Sequence, residues 1–488
     1  MKKLLSVLLC VAMLMTAAAV SATATDLSSE VTDDTWNEAE LQALVYIQGA
    51  WCASDMAEDY DNDEWFYVDE MELTDGSFET YATVNMRGFT MSPDRKFAYM
   101  GFLNGGSAFR GCAMFDMETG AITDVYYRYD QELADLDDPS YRFSFAKGLA
   151  ADDRGYVYVG FALSANYNLV TLGIAKANYE TKKLEEVYNG AIYEYGTPGD
   201  EGGIHVGVNG VDVAKVGDRY LCYAVINYDV DRIVCYDVTD PAHPEPYKEF
   251  GVDGVLEMHT ADDPVYVNDA YYMDVDEDGT VWLCAKMGDG STKVNKIAPD
   301  GSGVVGTVED GTAYCVAHAG SYIITGAKDG SAINVYDDSS FEKVGSVKFD
   351  TDAYGIYFSM VQVIDDILIV ADSDNNDGGA FNAIMVAPLT ADAQAKVDEM
   401  VENLNGKSSE ADTEADTAAD TAEATEAPTA ADTTPAATEA DATTPATEAQ
   451  GTDAATDKAD EGCGSVMGLA AVYAVIVAGI GFMMGKKH

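Results

Sequence analysis

Basic side chains are scarce in this chain of 488 residues, which has 28 lysines and arginines against 85 aspartates and glutamates. The formal net charge is -57. A protein binds nucleic acid by neutralising phosphates with a basic face, so this composition argues against a nucleic-acid partner. A strongly acidic chain instead favours solubility and the binding of cations or basic partners.

The sequence also lacks the usual catalytic motifs. It has five histidines, and no two of them have the spacing of metal ligands. There is no Gly-x-Ser-x-Gly nucleophile elbow and no phosphate-binding loop. His205 and His318 fall near predicted inner strands, where packing or a satisfied hydrogen bond is the expected role. The sequence therefore indicates no nucleophile, and no pair of catalytic carboxylates can be singled out among its many acids.

Cysteines are few and scattered, with eight in the whole chain. This spacing excludes a dense disulfide scaffold. Cys222 and Cys235 flank a predicted turn at residues 227–230, and a symmetric hairpin would place them directly opposite each other. The sequence leaves open whether the two form a disulfide or remain free thiols.

The two ends of the chain predict its location. Residues 1–24 contain Lys2 and Lys3, then an apolar run, and then small residues of the kind found at a cleavage site. This is the pattern of a secretory signal peptide. Residues 466–484 are uncharged over about the length that crosses a bilayer, and the following Lys486 and Lys487 place residues 485–488 in the cytosol. Residues 407–462 are an Ala/Thr/Asp/Glu/Pro tract that predicts a disordered stalk. The sequence thus predicts a single-pass surface protein with residues 26–406 outside the cell and a membrane contact through its C-terminal helix.

Residues 81–389 contain no long helical pattern. One sequence repeat occurs six times in this region. Each copy has an apolar strand, an Asp- and Gly-rich turn, a second apolar strand and a third strand. The first hairpins cover residues 88–100, 148–159, 210–221, 272–283, 313–324 and 358–369. Asp and Gly provide the local hydrogen bonds and positive φ that tight hairpins need. Repeats of roughly 40–60 residues with four strands are typical of β-propeller blades.

We therefore predict an all-β fold, a β-propeller of six four-stranded blades, or of seven if residues 41–80 supply a further sheet. The last repeat has no evident fourth strand, and residues 65–73 are predicted to complete it from the N-terminal side. Residues 391–404 have apolar side chains at helical spacing, which predicts a short helix ended by Asn405 and Gly406.

Two turns carry a family resemblance. Ser92-Pro-Asp-Arg-Lys and Asp276-Glu-Asp-Gly-Thr-Val-Trp resemble the turns of WD40 and YVTN propeller repeats, and residues 232–246 resemble one LVIVD-type surface repeat. The whole layout resembles the stalked, membrane-anchored surface proteins of Gram-positive bacteria. The resemblance covers residues 81–389 and implies a propeller displayed at a cell surface.

Two loops contain candidate cation ligands. Asp274, Asp276 and Asp278 alternate before Gly279 as in the first half of a calcium loop, although Ala285 stands where the final glutamate of such a loop belongs. The alternative for this loop is a hairpin turn without metal. Asp372, Asp374 and Asn376 form the second candidate. Calcium is the cofactor that these residue types suggest.

The sequence favours a non-enzymatic protein that binds an extracellular glycan, peptide or protein on the loop-rich ends of the ring. One alternative is an extracellular enzyme of the lactonase-like or lyase-like type with a divalent cation in its channel. A structural component of a surface layer is another.

Overall fold

The computed structural model describes residues 27–418 except 49, 54–77, 82–85, 103–110, 120, 127, 130–142, 163–168, 195–205, 229, 259–266, 350–357 and 374–380. The predicted signal peptide, membrane helix and cytosolic tail, and the stalk beyond residue 418, lie outside these residues. Within the described part of the chain, no helix is long and apolar enough to span a membrane.

The described residues form 28 strands and two helices. In chain order they are α1 (Asp33–Glu38), β1 (Gln42–Gln48), β2 (Ala50–Ala53), β3 (Phe78–Tyr81), β4 (Met86–Met91), β5 (Phe97–Phe102), β6 (Gly111–Asp116), β7 (Ala121–Tyr126), β8 (Arg128–Tyr129), β9 (Phe143–Ala151), β10 (Tyr156–Ala162), β11 (Leu169–Asn178), β12 (Lys183–Glu194), β13 (Val206–Val216), β14 (Arg219–Tyr228), β15 (Arg232–Asp237), β16 (Glu245–Pro246), β17 (Val255–Glu257), β18 (Val267–Val275), β19 (Val281–Met287), β20 (Thr292–Ile297), β21 (Val304–Val308), β22 (Ala313–Ala319), β23 (Tyr322–Ala327), β24 (Ile333–Asp337), β25 (Lys343–Ser346), β26 (Phe358–Ile364), β27 (Ile367–Ser373), β28 (Phe381–Pro388) and α2 (Ala391–Ala418).

In the part of the chain that the structure covers, the strands make six antiparallel blades. Blade 1 is β4–β7, blade 2 is β9–β12 with β8 at its inner edge, and blade 3 is β13–β15 with the short β16 and β17. Blades 4 and 5 are β18–β21 and β22–β25, and blade 6 is β26–β28 with β1. The strands β2 and β3 pair with each other as a separate two-stranded sheet.

The first strand of each blade contacts the first strand of the next, from β4 through β9, β13, β18, β22 and β26 and back to β4. These six strands therefore enclose a central channel, and the predicted six-bladed propeller is confirmed. Because all six run in the same direction, the ring has two distinct ends. We call the end where they begin the entry end, and the end where they turn into the second strands the turn end.

Blade packing explains the strand composition. The strands β4 and β6 are buried at every position, because neighbouring blades cover both faces of a sheet. Four apolar clusters fill the spaces between successive blades. The six predicted first hairpins are confirmed by the register of β4–β5, β9–β10, β13–β14, β18–β19, β22–β23 and β26–β27.

The sixth blade is completed from the N-terminal side, as predicted, but by a different strand. β1 pairs with β28, with Gln42 opposite Val386 and Gln48 opposite Phe381. The prediction that residues 65–73 supply this strand is therefore wrong, and those residues lie outside the described part of the chain. β1 supplies this strand some twenty residues earlier in the chain.

The register of the β14–β15 hairpin corrects a second prediction. Tyr223, not Cys222, stands opposite Cys235. Neighbouring residues of a strand face opposite sides of a sheet, so the two thiols belong to different inter-blade clusters. Both are free. The cause is one extra residue in the turn, Asp231, whose carboxylate accepts a hydrogen bond from Ala270 N at 2.9 Å.

Both chain segments that flank the ring dock at the turn end of blade 6. Asp366 lies in the turn between β26 and β27 and accepts hydrogen bonds from Ser28 N at 2.9 Å and from the Thr390 hydroxyl at 3.4 Å. Thr390 also caps α2 by accepting from Ala393 N at 3.2 Å. α2 continues to Ala418, so the prediction that Asn405 and Gly406 end it is wrong; a glycine in a helix costs only about 1 kcal/mol.

The inner strands approach so closely that Gly148 has no room for a side chain. A Cβ there would lie 2.5 Å from Val211 N and 2.7 Å from Gly210 C, which are backbone atoms of the next blade. We expect Gly148→Ala to lower the free energy of unfolding by about 1–3 kcal/mol, since two backbones must move apart. Gly311→Ala is the control, because no atom lies within 4 Å of its Cβ. Equal urea midpoints for the two variants would contradict this account of the ring.

Candidate ligand-binding site at the entry end of the channel

Each of the six innermost strands contains a β-bulge at the same point near its start. In β9, for example, Ala146 and Gly148 pair with consecutive residues of β10, so Lys147 is extra. In β18, Tyr271 and Tyr272 together oppose Cys284. By this register the extra residues are Arg87, Lys147, Asn209, Tyr271, Tyr314 and Ser359. Bulges re-aim side chains and are enriched beside functional sites.

Two of these residues are cations that the fold buries. Arg87 and Lys147 are each only 6% exposed, which is unusual for either residue type. They stand on neighbouring blades. Burial raises the pKa of Asp269, whereas the hydrogen bond from Asn227 and the charges of Lys147, Lys328 and Lys286 oppose that rise. Because Lys147 is on blade 2 and Asp269 on blade 4, their interaction crosses the channel.

Asparagine side chains of blade 3 hold the start of the fourth inner strand. The Asn209 amide donates to Ala270 O at 2.6 Å, and the Asn227 amide donates to Asp269 Oδ1 at 3.2 Å. The Ala270 amide N–H is bound by Asp231, as described above. This network fixes the backbone at Asp269 and Ala270 from the neighbouring blade.

Tyrosines form the opposite side of the ring. The Tyr271 and Tyr314 rings lie 4.8 Å apart, and Lys328 Nζ is 5.6 Å from the centre of the Tyr314 ring. One residue deeper, the Tyr272 hydroxyl donates to the Arg87 carbonyl. Blades 4 and 1 are opposite each other in a ring of six, so the Tyr272 side chain crosses the channel. It forms a floor beneath the bulged residues.

We call the set Arg87, Lys147, Asn209, Tyr271, Tyr314, Asp269 and Lys328 the mouth cluster. Ser359 is not part of it, because its hydroxyl donates to Ala371 O within its own blade. The cluster combines cations, an amide and a tyrosine pair above the Tyr272 floor. Such convergent polar and aromatic groups suit the binding of a small ligand or one end of a larger one.

The sequence-predicted calcium residues of the first loop lie at the other end of the ring, each with a protein partner. Asp274 accepts from His318 N at 2.5 Å, Asp276 from Trp282 Nε1 at 3.0 Å, and Asp278 from Thr280 N at 2.8 Å. The contacts of Asp276 and Asp278 are those of a hairpin turn, and the contact of Asp274 joins blade 4 to blade 5. Throughout the described residues, no group of three or more metal-ligating side chains is placed to hold an ion.

The second predicted calcium loop is separate from the first. Asp372 is in β27 opposite Ala383, near the entry end of blade 6, and Asp374 and Asn376 lie outside the described residues. The structure therefore does not bring the two candidate sets together. Calcium binding at either loop stays a prediction.

His318 is a partly buried hydrogen-bonding residue. Its Nδ1 lies 2.6 Å from Asp276 Oδ1 and its Nε2 lies 3.2 Å from Asp338 Oδ2. Burial alone would lower the pKa of His318, but the hydrogen bond and charge of Asp276, followed by the charge of Asp274 and the bond to Asp338, raise it overall. The ring also stacks on Trp282 at 4.9 Å. The predicted role of a satisfied hydrogen-bond donor is confirmed for His318, while His205 lies outside the described residues.

Two carboxyl groups meet next to this histidine. Asp212 of blade 3 accepts a hydrogen bond from Val275 N of blade 4 at 2.7 Å and interacts with the Asp274 side chain. Burial raises the pKa of Asp212 to about 7, against the opposing effect of its backbone hydrogen bonds. The pair therefore shares a proton near neutral pH and ties blades 3 and 4 together.

The described thiols offer no activated nucleophile. Cys112, Cys222, Cys235, Cys284 and Cys315 are all buried and free. Burial raises the pKa of each one, whereas a reactive cysteine needs a lowered pKa and access to solvent.

No protein-family model matches the chain, and no curated protein matches its sequence. Solved structures similar to it include a protein of unknown function from Bacteroides caccae, which is 13% identical over 56% of this chain and 83% of that one with a TM-score of 0.37. The WD40 β-propeller domain of Doa1 is 9% identical over 62% and 93%, with a TM-score of 0.37. The PQQ-bound aldose sugar dehydrogenase of Streptomyces coelicolor is 14% identical over 63% and 95%, with a TM-score of 0.42. At such values no function is transferred from any of them.

The sequence analysis missed the mouth cluster, although a signal for it was present. In three repeats a polar residue directly precedes the glycine of the inner strand, as Arg87-Gly88, Lys147-Gly148 and Asn209-Gly210. The repeated position of these pairs, within strands that are otherwise apolar, marks the bulge.

Proposed function

We propose that this protein is a non-enzymatic propeller, displayed outside the cell on its C-terminal stalk, that binds an extracellular ligand at the entry end of its channel. The observation that carries the proposal is the set of bulges, which deliver charged and aromatic side chains from five blades to one place. Arg87 and Lys147 are each only 6% exposed, at equivalent positions of blades 1 and 2.

The connections between strands support the choice of this end. Two wide intervals between consecutive strands, from β5 to β6 and from β12 to β13, begin and end at strand ends that lie at the entry end. At the turn end, the turns between the first and second strands of the blades are tight, for instance Asp276 to Gly279. Recognition residues are commonly carried on loops that a rigid scaffold positions.

The floor sets the direction of approach. Because the Tyr272 side chain crosses the channel, a ligand reaches the mouth cluster from the entry end and does not pass through the ring. The absence of an activated nucleophile among the described thiols is consistent with binding rather than covalent catalysis.

Lys147→Met tests the location of the site. The full chain would be screened by thermal shift against soluble glycans, peptides and proteins, and each hit measured by calorimetry on wild type and variant. We expect the substitution to weaken binding at least about tenfold, equivalent to 1.4 kcal/mol, because it removes a buried charge while keeping the volume of the side chain.

Lys183→Met is the matched control, since it removes the same charge from an exposed position on the outermost strand of the same blade. It should bind like wild type. A ligand that binds all three proteins equally would contradict the proposed location, and the absence of any hit in the three ligand classes would contradict the function.

A further inference from the structure

Positive and negative side chains are mixed at the entry end of the ring. Arg87 and Lys147 each have an interaction partner within the protein. The carboxylates Asp231 and Asp310 are buried at the same end as Asp269. The sign of a ligand's charge is therefore not what this end selects, and the selecting groups are polar atoms that the protein leaves without a hydrogen bond.

Two asparagine side chains each leave such an atom. The Asn209 Nδ2 donates to Ala270 O at 2.6 Å, and the Asn227 Nδ2 donates to Asp269 Oδ1 at 3.2 Å. Each bond fixes the orientation of its amide, because only the NH₂ group of an amide donates. Asn209 is 2% and Asn227 1% exposed, yet neither Oδ1 atom has a hydrogen-bond partner among the described residues. Buried carbonyl oxygens nearly always have one.

The two acceptors lie at the same corner of the mouth cluster, since both amides bind the consecutive residues Asp269 and Ala270. A ligand satisfies them by presenting two neighbouring hydrogen-bond donors. Hydroxyl groups on adjacent carbons of a sugar ring have this arrangement. An ammonium group also donates, but it would meet the charges of Lys147 and Lys328, which already act on Asp269.

The tyrosine pair supplies an apolar surface next to these acceptors. Tyr271 and Tyr314 belong to adjacent blades and have tilted rings 4.8 Å apart. Tyr271 directly follows Ala270 in the chain, so the aromatic surface and the acceptors meet at the start of β18. Aromatic rings contact the apolar face of a ring-shaped ligand over a large area at little cost in side-chain entropy.

We infer that the ligand held by the mouth cluster is a neutral carbohydrate. Two neighbouring hydroxyl groups of one sugar ring donate to Asn209 Oδ1 and Asn227 Oδ1, and the apolar face of that ring contacts Tyr271 and Tyr314. The inference rests on the proposed function and adds the chemical class of the ligand to it.

Other ligand classes match these groups less well. A sugar acid gains little from cations that have partners already, and its carboxylate adds a negative charge beside Asp269. An extended peptide directs its successive backbone N–H groups to opposite sides, so it does not offer two adjacent donors to one corner. A neutral sugar provides paired donors and an apolar face on one ring.

The test measures binding of probes to the full chain by calorimetry. The neutral probes are hexasaccharides of glucose, galactose, mannose, xylose and N-acetylglucosamine, and the others are a galacturonic acid hexasaccharide and a glycine–serine peptide of the same length. At least one neutral hexasaccharide should bind about tenfold or more tightly than the acidic sugar and the peptide. Its affinity should change little between low and physiological salt, because no net charge is neutralised.

Asn209→Ala and Asn227→Ala each remove one acceptor and should each weaken binding of that sugar about tenfold. Asn295→Ala is the matched control, since Asn295 is also 2% exposed but its Oδ1 accepts from Thr307 Oγ1 at 3.4 Å. It should bind like wild type. Thermal melting of each variant establishes that it is folded, and the probe preference of the wild type tests the inference without any substitution.

Three results would overturn the inference: no binding of any neutral hexasaccharide, tighter binding of the acidic sugar or the peptide, or a neutral sugar whose binding both asparagine variants leave unchanged. In each case the proposed function stands if Lys147→Met weakens binding of the ligand that is found. If a ligand is found and neither the asparagine variants nor Lys147→Met affect it, the proposed function fails as well.

Discussion

Asp310→Ala is expected to lower the free energy of unfolding by about 3–5 kcal/mol, because it removes a buried charge on which several donors depend. Asp310 is 3% exposed. Its Oδ2 accepts from Thr325 Oγ1 at 2.6 Å, Tyr336 OH at 2.9 Å and Asn334 Nδ2 at 3.2 Å, and its Oδ1 accepts from Thr312 N and Oγ1, both at 2.9 Å. This one carboxylate links the segment that leads into β22 with β23 and β24, the second and third strands of blade 5.

The measurement is urea unfolding of wild type, Asp310→Ala and Asp310→Asn. Asparagine should recover part of the loss, since its oxygen still accepts while its NH₂ group faces other donors. Asp329→Ala, an exposed turn residue of the same blade that accepts only from Ser331 N among the described contacts, should change the unfolding free energy by about 1 kcal/mol or less. If Asp310→Ala proves no less stable than Asp329→Ala, the carboxylate does not hold the blade together.

The second large effect is a loss of stability as the pH rises through neutrality. Burial raises the pKa of Asp212 from 3.8 to about 7 and also raises the pKa of Asp274. The folded protein therefore retains a proton that the unfolded chain has already lost, so this contribution is fully present below about pH 4 and disappears as the pH passes 7. His318 acts in the same direction, because its folded-state pKa is raised as well.

Between pH 5 and pH 8 we expect the wild type to lose on the order of 1–3 kcal/mol, after allowing for the partial exposure of the pair. Asp212→Asn keeps an acceptor for Val275 N and a donor toward Asp274 but does not titrate. Its stability should therefore depend less on pH over this range. Asp289→Asn, at an exposed turn, should retain the wild-type slope, and parallel pH profiles for wild type and Asp212→Asn would contradict the shared proton.

The fold was predictable because each repeat contains its own apolar strands and turn residues. These can be recognised without knowing how the blades pack together. Six Asp- or Gly-containing turns between apolar runs indicate six hairpins, whichever strands they later neighbour. Closure of the ring was harder to predict, since β1 and residues 65–73 both have β-forming patterns, and only the pairing with β28 distinguishes them. A contact between blades also explains why Cys222 and Cys235 were wrongly predicted to stand opposite each other. Asp231 lies in the turn between them because its carboxylate binds the next blade, and this extra turn residue shifts the register by one.

The candidate site depends on register shifts, which a pattern of alternating residues does not reveal. Arg87 and Lys147 looked like ordinary polar residues at strand starts, and only the register shows that each one is an extra residue in its strand. The acidic turn at Asp274 to Asp278 was conspicuous in sequence for the opposite reason. Its carboxylates accept hydrogen bonds from Trp282 and Thr280 of their own hairpin and from His318 of blade 5.

Thr390 and α2 leave the ring beside Asp366, on the face opposite Arg87 and Lys147. Because Ser28 and Thr390 both bind Asp366, the described segments before and after the ring are attached on the face away from the mouth cluster, and their docking does not compete with a ligand there.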